Sequence, residues 1–426
     1  MRSSLQSDGR HRKIVVADVD GRFTRWRRVV FALLMLLYFA VPSLTWHGAP
    51  LLQFDLARRI LYLGGAAYNA QDTYLLFFFI TGLVFTLFFL TAVAGRVWCG
   101  WACPQTVWIE GVFRRIERWV EGPRQMQLQR VNIFRRAAKH FLFVVASLGI
   151  SVLCLRFFVV GAEWWVWWLC LAALLYGDGA WFREQVCVFL CPYGRIQSAL
   201  IDNDTLVIGY DTHRGEPRGK KNAVGRGHCI DCQRCVDVCP TGIDIRHGLQ
   251  LECIGCANCI DACDAIMQKI DQPAGLIRYD SLRGFAGNVR RIWRPRLWLY
   301  TALLVAGVAV AGGALHARHN FSVNVLRASG LPYVLDGDRV RNQFFLHITN
   351  RSMQPATFAL TAVLPANVTL TTPIHETPLN ALSDIKIPIF LEMSRAAYRP
   401  GIHVPLQIRN AATAEIIDVV PIFLGP

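Results

Sequence analysis

CIDCQRCVDVCP, residues 229–240, and CIGCANCIDAC, residues 253–263, are the two halves of a repeat. Each half has the spacing C-x2-C-x2-C-x3-C, and the second follows the first at an offset of 24 residues. Closely spaced thiolates in this pattern are typical ligands of [4Fe–4S] clusters. Zinc sites normally use two separated cysteine pairs, and buried core cysteines do not recur at a fixed offset. The repeat therefore predicts two [4Fe–4S] clusters.

The spacing also predicts which thiols share a cluster, because in bacterial-type two-cluster ferredoxins the fourth Cys of each run binds the other cluster. Asp264 stands where the first run has Pro240, which removes a turn-forming residue and leaves all eight thiols in place. The first-cluster thiols are then Cys229, Cys232, Cys235 and Cys263, and the second-cluster thiols are Cys253, Cys256, Cys259 and Cys239.

The composition indicates that these clusters belong to a membrane protein. Of the 426 residues, 53% are hydrophobic and 18% are charged, which is too apolar for a soluble ferredoxin. A helix that spans a bilayer needs about 20 apolar residues. Five segments satisfy this requirement and predict five transmembrane helices: 29–46, 74–94, 139–159, 162–181 and 297–316.

The distribution of Lys and Arg predicts the orientation. Eight of them precede the first span, nine lie from Arg96 to Lys139 and sixteen lie within 182–296, whereas the first loop has only Arg58 and Arg59. By the positive-inside rule, the N-terminus and the cluster segment are cytoplasmic and the tail beyond 317 is exported. The net charge of +15 is therefore mainly a topology signal, and we expect no nucleic-acid partner.

Arginine-rich stretches near the spans are expected to contact anionic lipid headgroups. They comprise Arg114, Arg115 and Arg118, and then Arg290, Arg291, Arg294 and Arg296.

A second repeated motif, C-x3-C-P, follows the second and fourth predicted spans. Both copies lie on the same predicted side of the membrane, so four thiols can converge there. The proline suits the first turn of a new helix, whose positive N-terminus favours thiolate. Four soft thiolates suit Cu(I), zinc or another iron–sulfur cluster, and the alternative is a set of small buried residues at helix ends. We call Cys99, Cys103, Cys187 and Cys191 the membrane thiols.

The C-terminal part of the chain has the sequence pattern of an all-β domain. Short alternating apolar runs are separated by Gly, Pro, Asn and Asp, which predicts a β-sandwich of about seven strands. All fourteen cysteines lie between Cys99 and Cys263, so none falls in this part. The predicted organisation is a basic N-terminus, 1–28; a membrane domain of four helices, 29–204; a ferredoxin-like domain, 205–290; a fifth helix, 291–317; and an exported β-domain, 318–426.

Three stretches together resemble the CcoG/FixG/RdxA family of cytochrome oxidase accessory proteins: WCGWACPQTVWIE from 98, REQVCVFLCPYGRIQS from 183 and CVDVCPTGIDIRHGLQLECIGC from 235. The resemblance covers nearly the whole chain. It implies an immunoglobulin-like C-terminal domain, a bacterial cytoplasmic membrane location and two [4Fe–4S] clusters. It also implies reduction of Cu(II) to Cu(I) for the assembly of cbb3-type cytochrome c oxidase.

We therefore expect single electrons to pass from a cytoplasmic donor through the two clusters to copper at the membrane thiols, which serve as the catalytic site. A copper chaperone or transporter and oxidase assembly factors are the expected partners. Two alternatives remain open at this stage. One is a non-enzymatic assembly or docking factor, and the other is a quinol-linked membrane electron carrier.

The cluster assignment makes a direct compositional prediction. Protein purified without oxygen should contain about eight iron and eight labile sulfide per chain, because each cube holds four of each. Cys232→Ser and Cys256→Ser should each disturb a different cube, which electron paramagnetic resonance can distinguish. Stoichiometric zinc without labile sulfide would contradict the assignment.

Overall fold

The computed structural model describes residues 14–69, 72–129, 132–159, 161–220, 224–362, 364–365 and 367–426. Residues 1–13 of the predicted basic N-terminus lie outside the described residues. The chain forms two compact units. The first, which we call the membrane-cluster unit, comprises Met1–Leu44, Gln53–Ala57 and Leu75–Ala311, and the second, the C-terminal unit, comprises Thr45–Leu52, Arg58–Tyr74 and Gly312–Pro426.

The α-helices lie almost entirely in the first unit. In chain order they are α1 Arg22–Ala40, α2 Thr73–Ala94, α3 Val97–Trp101, α4 Pro104–Trp108, α5 Arg114–Glu121, α6 Arg124–Leu128, α7 Ile133–Leu155, α8 Trp164–Gly177, α9 Pro192–Leu200, α10 Thr212–Gly215, α11 Arg234–Asp237, α12 Asn258–Lys269, α13 Leu282–Phe285 and α14 Pro295–His316. Three π-helical turns occupy Ile109–Phe113, Asp178–Phe182 and Val186–Leu190, and 3-10 turns occupy Val41–Ser43, Gly161–Glu163, Ile245–His247 and Arg395–Ala397.

All the strands before residue 300 are short, and the longest strands of the chain, Arg339–Asn350 and Asp384–Ser394, come after it. They are β1 Thr45–Trp46, β2 Ala49–Pro50, β3 Leu52–Asp55, β4 Ile60–Leu63, β5 Ala66–Tyr68, β6 Phe158–Val159, β7 Val207–Tyr210, β8 Ile277–Asp280, β9 Phe321–Arg327, β10 Val334–Asp336, β11 Arg339–Asn350, β12 Ala356–Ala362, β13 Val368–Thr371, β14 Glu376–Leu379, β15 Asp384–Ser394, β16 Ile402–His403, β17 Leu406–Asn410, β18 Ile416–Val419 and β19 Ile422–Phe423.

Four helices among the described residues are long and apolar enough to cross a membrane: Arg22–Ser43, Tyr74–Ala94, Ile133–Leu155 and Pro295–His316. The remaining predicted span, 162–181, corresponds to α8 and the π-helical turn Asp178–Phe182 that continues it. Because α8 has only 14 residues, its regular part is shorter than the roughly 20 that a bilayer requires. Membrane helices are therefore present, and the count of five stays a prediction.

The cluster segment has its own small core between β7 and β8, which pair antiparallel, and α12, which packs beside them. Buried apolar side chains from all three elements surround several of the cysteines. They include Ile208, Tyr210, Ile260, Met267 and Ile277. Burial of these side chains helps to hold the cysteine loops in place, and Phe23 of α1 packs against the same core.

Residues 321–426 of the C-terminal unit form the predicted β-sandwich. One sheet has the strand order β10-β11-β15-β13 with β9 also paired to β11, and the other has the order β14-β12-β17-β18. In β11 and β15 the apolar side chains alternate inward, and Phe344 lies opposite Ile389 in the antiparallel register. Between the sheets lies a core that includes Phe321, Leu346, Phe358, Leu391, Leu406, Ile408 and Phe423.

A chain of buried ion pairs joins α5, α7 and the segment after α8. The pairs are Arg114–Glu110, Arg114–Glu184 at 3.3 Å, Arg183–Glu117 at 2.9 Å and Lys139–Glu121 at 2.7 Å, and no side chain in them is more than 10% exposed. Burial alone would raise the pKa of Glu110, but the adjacent Arg114 holds that pKa below its usual range. Such pairs fix geometry, because removing one partner leaves an uncompensated buried charge.

This arrangement corrects the expectation that Arg114 faces lipid headgroups. The Arg114 side chain is 4% exposed and bound to carboxylates. Arg294 is also engaged inside the protein, where it pairs with Asp202 and donates to the Ala92 carbonyl at 2.7 Å. Acidic groups or helix-end carbonyls thus compensate the charge of both arginines within the protein.

The orientation can be tested with reporters placed in each unit. An alkaline phosphatase fused after Pro426 should be active, because that enzyme requires export, and one fused near Gly225 should be inactive. Green fluorescent protein at the same two positions should give the reverse pattern. Exported clusters, shown by activity at Gly225 and none at Pro426, would contradict the charge-based topology.

Candidate iron–sulfur and thiol site

The two halves of the cysteine repeat have the same local backbone. Asp231 and Gln233 have φ of 54° and 55°, and Gly255 and Ala257, which follow them at the 24-residue offset, have φ of 69° and 65°. α11 begins at Arg234 and α12 at Asn258, which preserves the same offset. Left-handed residues between the first three cysteines turn the chain sharply, so three thiols can point toward one centre.

The structure brings thiols from both halves of the repeat near one another. Burial raises the pKa of Cys263 to about 12, and the neighbouring Cys235, Cys232 and Cys229 add to the shift. Burial likewise raises the pKa of Cys259 well above its usual value, and Cys256, Cys253 and Cys239 add to that shift. Cys263 thus lies near the first three thiols of the other half, and Cys259 lies near Cys239 and Cys235 as well as near Cys253 and Cys256, so the assignment of four thiols to each cube stays a prediction. The donor set, its burial and its turns fit two [4Fe–4S] cubes.

The membrane thiols occupy matching positions in the two C-x3-C-P motifs. Cys103 is the residue before the first turn of α4 and Cys191 the residue before α9, and the proline that follows each is the first helical residue, as the sequence predicted. Burial raises the pKa of Cys103, although backbone N–H groups of Gln105 and Thr106 act in the opposite direction. The helix N-terminus therefore acts on the pKa of this thiol in the expected direction, but desolvation has the larger effect.

These four thiols also lie close to one another. Burial raises the pKa of Cys187 to about 12, with further contributions from Cys103, Cys99 and Cys191. Burial raises the pKa of Cys99 to about 12 as well. The Cys99 Sγ donates to Oε1 of the fully buried Gln197 in α9 at 3.3 Å, which joins the two motifs directly.

Among the described residues, no three His, Cys, Asp or Glu side chains are close enough to hold a single metal ion. The four ligands of a cube stand further apart than the four ligands of one ion, because the cube lies between them. For the membrane thiols, binding of a single copper ion requires side-chain rotation toward a common point.

The first C-x3-C-P motif lies directly against the second-cluster loop. A Cβ added at Gly100 would lie 2.7 Å from the Ile254 carbonyl oxygen and 2.8 Å from the Cys256 backbone. On the other side of the same contact, a Cβ added at Gly255 would lie 2.9 Å from the Arg96 carbonyl oxygen. Only residues without side chains permit this approach of two backbones. The second-cluster thiols are therefore the set adjacent to the membrane thiols.

Arg96 reinforces this contact between the first C-x3-C-P motif and the second-cluster loop. Arg96 donates to the carbonyls of Leu251 and Cys253 and, at 3.0 Å, to the Gly194 carbonyl in α9. Arg96 thus connects both C-x3-C-P motifs to the second-cluster loop.

Arg27, near the start of the first membrane helix, makes a similar bridge. Its Nε donates to the Gly100 carbonyl at 3.0 Å and its Nη1 donates to Asn258 Oδ1 at 2.6 Å. The side chain is buried, so it acts as an internal connector.

An aromatic hydrogen-bond chain crosses the same contact. Trp101, which lies between Cys99 and Cys103, donates its Nε1–H to the Tyr279 hydroxyl at 3.2 Å. The Tyr279 hydroxyl donates to the Gly255 carbonyl at 2.6 Å. The two groups of thiols are thus connected through side chains as well as through packed backbone.

Sequence reasoning missed Gly100, Arg96, Arg27 and Tyr279. The arginines were interpreted as orientation signals, which is the usual meaning of basic residues beside spans. Gly100 could have indicated the contact from the sequence alone. A glycine between two candidate ligands, here Cys99 and Cys103, is typical of a close approach between two backbones.

The fold and the thiols together define a membrane-spanning iron–sulfur protein with an immunoglobulin-like C-terminal domain. Residues 182–282 match the family described as a 4Fe-4S dicluster domain, and residues 74–123 match a 4Fe-4S binding domain. Residues 312–426 match the family described as the IG-like fold at the C-terminal of FixG.

The chain belongs to the family of FixG, RdxA and RdxB. It is 35% identical over 384 residues to Protein RdxA of Cereibacter sphaeroides, covering 80% of each chain. It is 33% identical over 421 residues to the Nitrogen fixation protein FixG of Rhizobium meliloti, covering 83% of this chain and 79% of that one. Protein RdxB of Cereibacter sphaeroides is 34% identical over 402 residues, with 84% and 83% covered.

The Gly100 contact predicts a selective defect. Gly100→Ala should force the second-cluster loop away from the motif, because the atoms that the new Cβ meets are backbone atoms that cannot rotate aside. We expect iron content to fall from about eight toward about four per chain and the signal of one cube to change.

Gly82→Ala is the matched control, because nothing lies within 4 Å of a Cβ added there. Iron and sulfide analysis with electron paramagnetic resonance of the reduced proteins makes the comparison. Equal iron content and identical spectra in the two variants would show that the contact is unimportant.

Proposed function

We propose that this membrane iron–sulfur protein reduces Cu(II) to Cu(I) for the assembly of cbb3-type cytochrome c oxidase, as a cupric reductase. The observation that carries the proposal is the packing of the first C-x3-C-P motif against the second-cluster loop. This packing supports the proposal, because the motif that holds Cys99 and Cys103 contacts the loop that holds Cys256. One electron converts Cu(II) to Cu(I), and this electron transfer makes or breaks no bond to carbon.

The chemistry of the donor set supports copper as the substrate. Thiolates are soft ligands and stabilise Cu(I) over Cu(II), so a thiolate site both holds the ion and favours its reduction. Binding to buried thiols releases their protons, so affinity for copper should increase as pH rises. Cys187 and Cys99, whose pKa burial raises to about 12, are protonated at neutral pH until metal displaces the proton.

Each part of the chain then has a defined task. The cubes supply one-electron chemistry when bound, with Cys229, Cys232, Cys235 and Cys263 holding one and Cys253, Cys256, Cys259 and Cys239 the other. Arg96 and Arg27 position the loop of the second set against the membrane thiols. Buried apolar residues pack around Cys229, Cys235, Cys259 and Cys263 and shield these thiols from water.

The proposed setting is a bacterial cytoplasmic membrane with the thiols and clusters on the cytoplasmic side. A cytoplasmic donor supplies electrons, and a copper chaperone or transporter and oxidase assembly factors exchange copper. A role as a non-enzymatic docking factor leaves the four membrane thiols without a task. A quinol-linked electron carrier shares the clusters and differs in the origin of its electrons.

One observation favours a second use of the membrane thiols. Residues 74–123 match a 4Fe-4S binding domain, and the only cysteines in that range are Cys99 and Cys103. The four membrane thiols could accordingly hold a third cube, since four thiolates from two matched motifs are also a cluster donor set. Metal content distinguishes this possibility from a copper site.

The double variant Cys103→Ser/Cys191→Ser tests both uses. On the copper proposal it should keep about eight iron per chain, because neither residue belongs to the cysteine repeat. Cu(II) reduction should fall at least about tenfold, since two of four soft ligands are lost. The measurement is formation of Cu(I) bound to a specific chelator after mixing dithionite-reduced protein with Cu(II).

Cys154→Ser/Cys170→Ser serves as the control, because it removes two thiols that lie outside both motifs and the repeat. Reduction at the wild-type rate in Cys103→Ser/Cys191→Ser would contradict the copper proposal. Wild-type protein with about twelve iron per chain, falling to about eight in the variant, would instead establish the third cube.

A further inference from the structure

A basic surface lies beside the one exposed thiol of the cysteine repeat. Cys232 alone among the eight is exposed, whereas Cys256 in the second set is 6% exposed. The first cluster therefore has an edge at the protein surface. The segment 212–228, which precedes this set, has five Lys or Arg residues and a single acidic residue, Glu216. We call four of these cations, Arg214, Arg218, Lys220 and Arg226, the basic collar.

The collar is fixed to the first-cluster loop by backbone hydrogen bonds. Gly219 N–H donates to the Cys229 carbonyl at 3.2 Å, and His228 N–H donates to the Arg214 carbonyl at 2.8 Å. Arg214 also donates to the Pro273 carbonyl beyond the end of α12 at 2.7 Å. The collar is thus held beside the thiols.

Nearby carboxylates only partly offset this charge. Glu216 accepts from Arg218 at 3.0 Å, and Asp231 and Asp244 are both paired with the buried Arg246. Asp264 is half-buried and lies near Arg214. Lys220 is exposed and adds positive charge to this surface, and Arg226 donates to the Gly227 carbonyl at 2.8 Å beside it.

We propose that the basic collar is the docking surface for a small acidic one-electron carrier protein, which delivers electrons at the exposed Cys232 edge. This rests on the proposed function, because a copper reductase needs a source of single electrons. The second set faces the membrane thiols, which leaves the first set as the accessible entry. In each transfer an iron of the carrier is oxidised from Fe(II) to Fe(III), the first cluster gains one electron, and no bond or proton changes.

An acidic protein fits this surface better than an anionic lipid does. Both carry negative charge, but only a redox protein brings an electron to the exposed ligand. Charge complementarity speeds association without requiring a large apolar interface, which suits a carrier that must leave after each transfer.

The test uses full-length protein in detergent micelles and a plant-type [2Fe–2S] ferredoxin as the acidic probe. Lys220→Glu/Arg226→Glu should slow reduction of the oxidised protein by reduced ferredoxin at least about tenfold at low salt, and raise the Kd for oxidised ferredoxin by a similar factor. The difference should shrink at high ionic strength, because salt screens the charges.

Lys386→Glu/Arg409→Glu is the matched control, since it makes the same charge change at exposed positions of the C-terminal unit. Reduction by dithionite should be equal in all three proteins, which shows that the clusters are intact. Two results would overturn the inference. One is a collar variant with unchanged affinity for ferredoxin and an unchanged rate of reduction by it. The other is a wild-type protein whose rate of reduction by ferredoxin does not depend on salt. Failure of dithionite-reduced protein to reduce Cu(II) would overturn the proposed function while leaving these docking measurements unaffected.

Discussion

The contact between Gly100 and the Ile254–Cys256 backbone is the constraint on which the arrangement of the site depends. Two segments separated by about 150 residues approach so closely that neither has room for a side chain. One lies between the thiols of a membrane motif, and the other lies between ligands of the second set. Arg96 and Arg27 saturate carbonyls around this contact. Movement of either segment would therefore change the separation between the two groups of thiols.

Burial has the largest effect on the pKa of the Cys99, Cys103 and Cys187 thiols. Cys103 receives backbone N–H groups at the start of α4, yet its pKa is raised. An uncharged thiol is stable in this apolar setting, whereas an unpaired thiolate is not. Burial thereby disfavours adjacent negative charges at Cys99, Cys103 and Cys187 in the metal-free protein. A soft cation supplies the compensating charge, which makes ionisation and metal binding one coupled event.

Much of the architecture follows from the sequence because its signals are periodic. The 24-residue repeat predicted two sets of thiols, and the left-handed residues at 231, 233, 255 and 257 follow the same offset. Alternation in β11 and β15 predicted the sandwich. The roles of Arg114 and Arg27 could not be predicted, because a basic residue near a span has the same local pattern whether it meets lipid or a buried carboxylate. Only the fold places Glu184 beside Arg114 and Asn258 beside Arg27.

The first membrane helix is capped by a residue far along the chain. Backbone N–H groups of Phe23 and Thr24 donate to the Asp261 carboxylate at 3.1 Å and 2.7 Å. Synthesis proceeds from the N-terminus, so α1 enters the bilayer long before Asp261 exists. The N–H groups of its first turn lack the Asp261 carboxylate as a partner until the cysteine repeat has been made and folded. The cap of the earliest helix is thus supplied by the cluster domain, so the two can be completed only together.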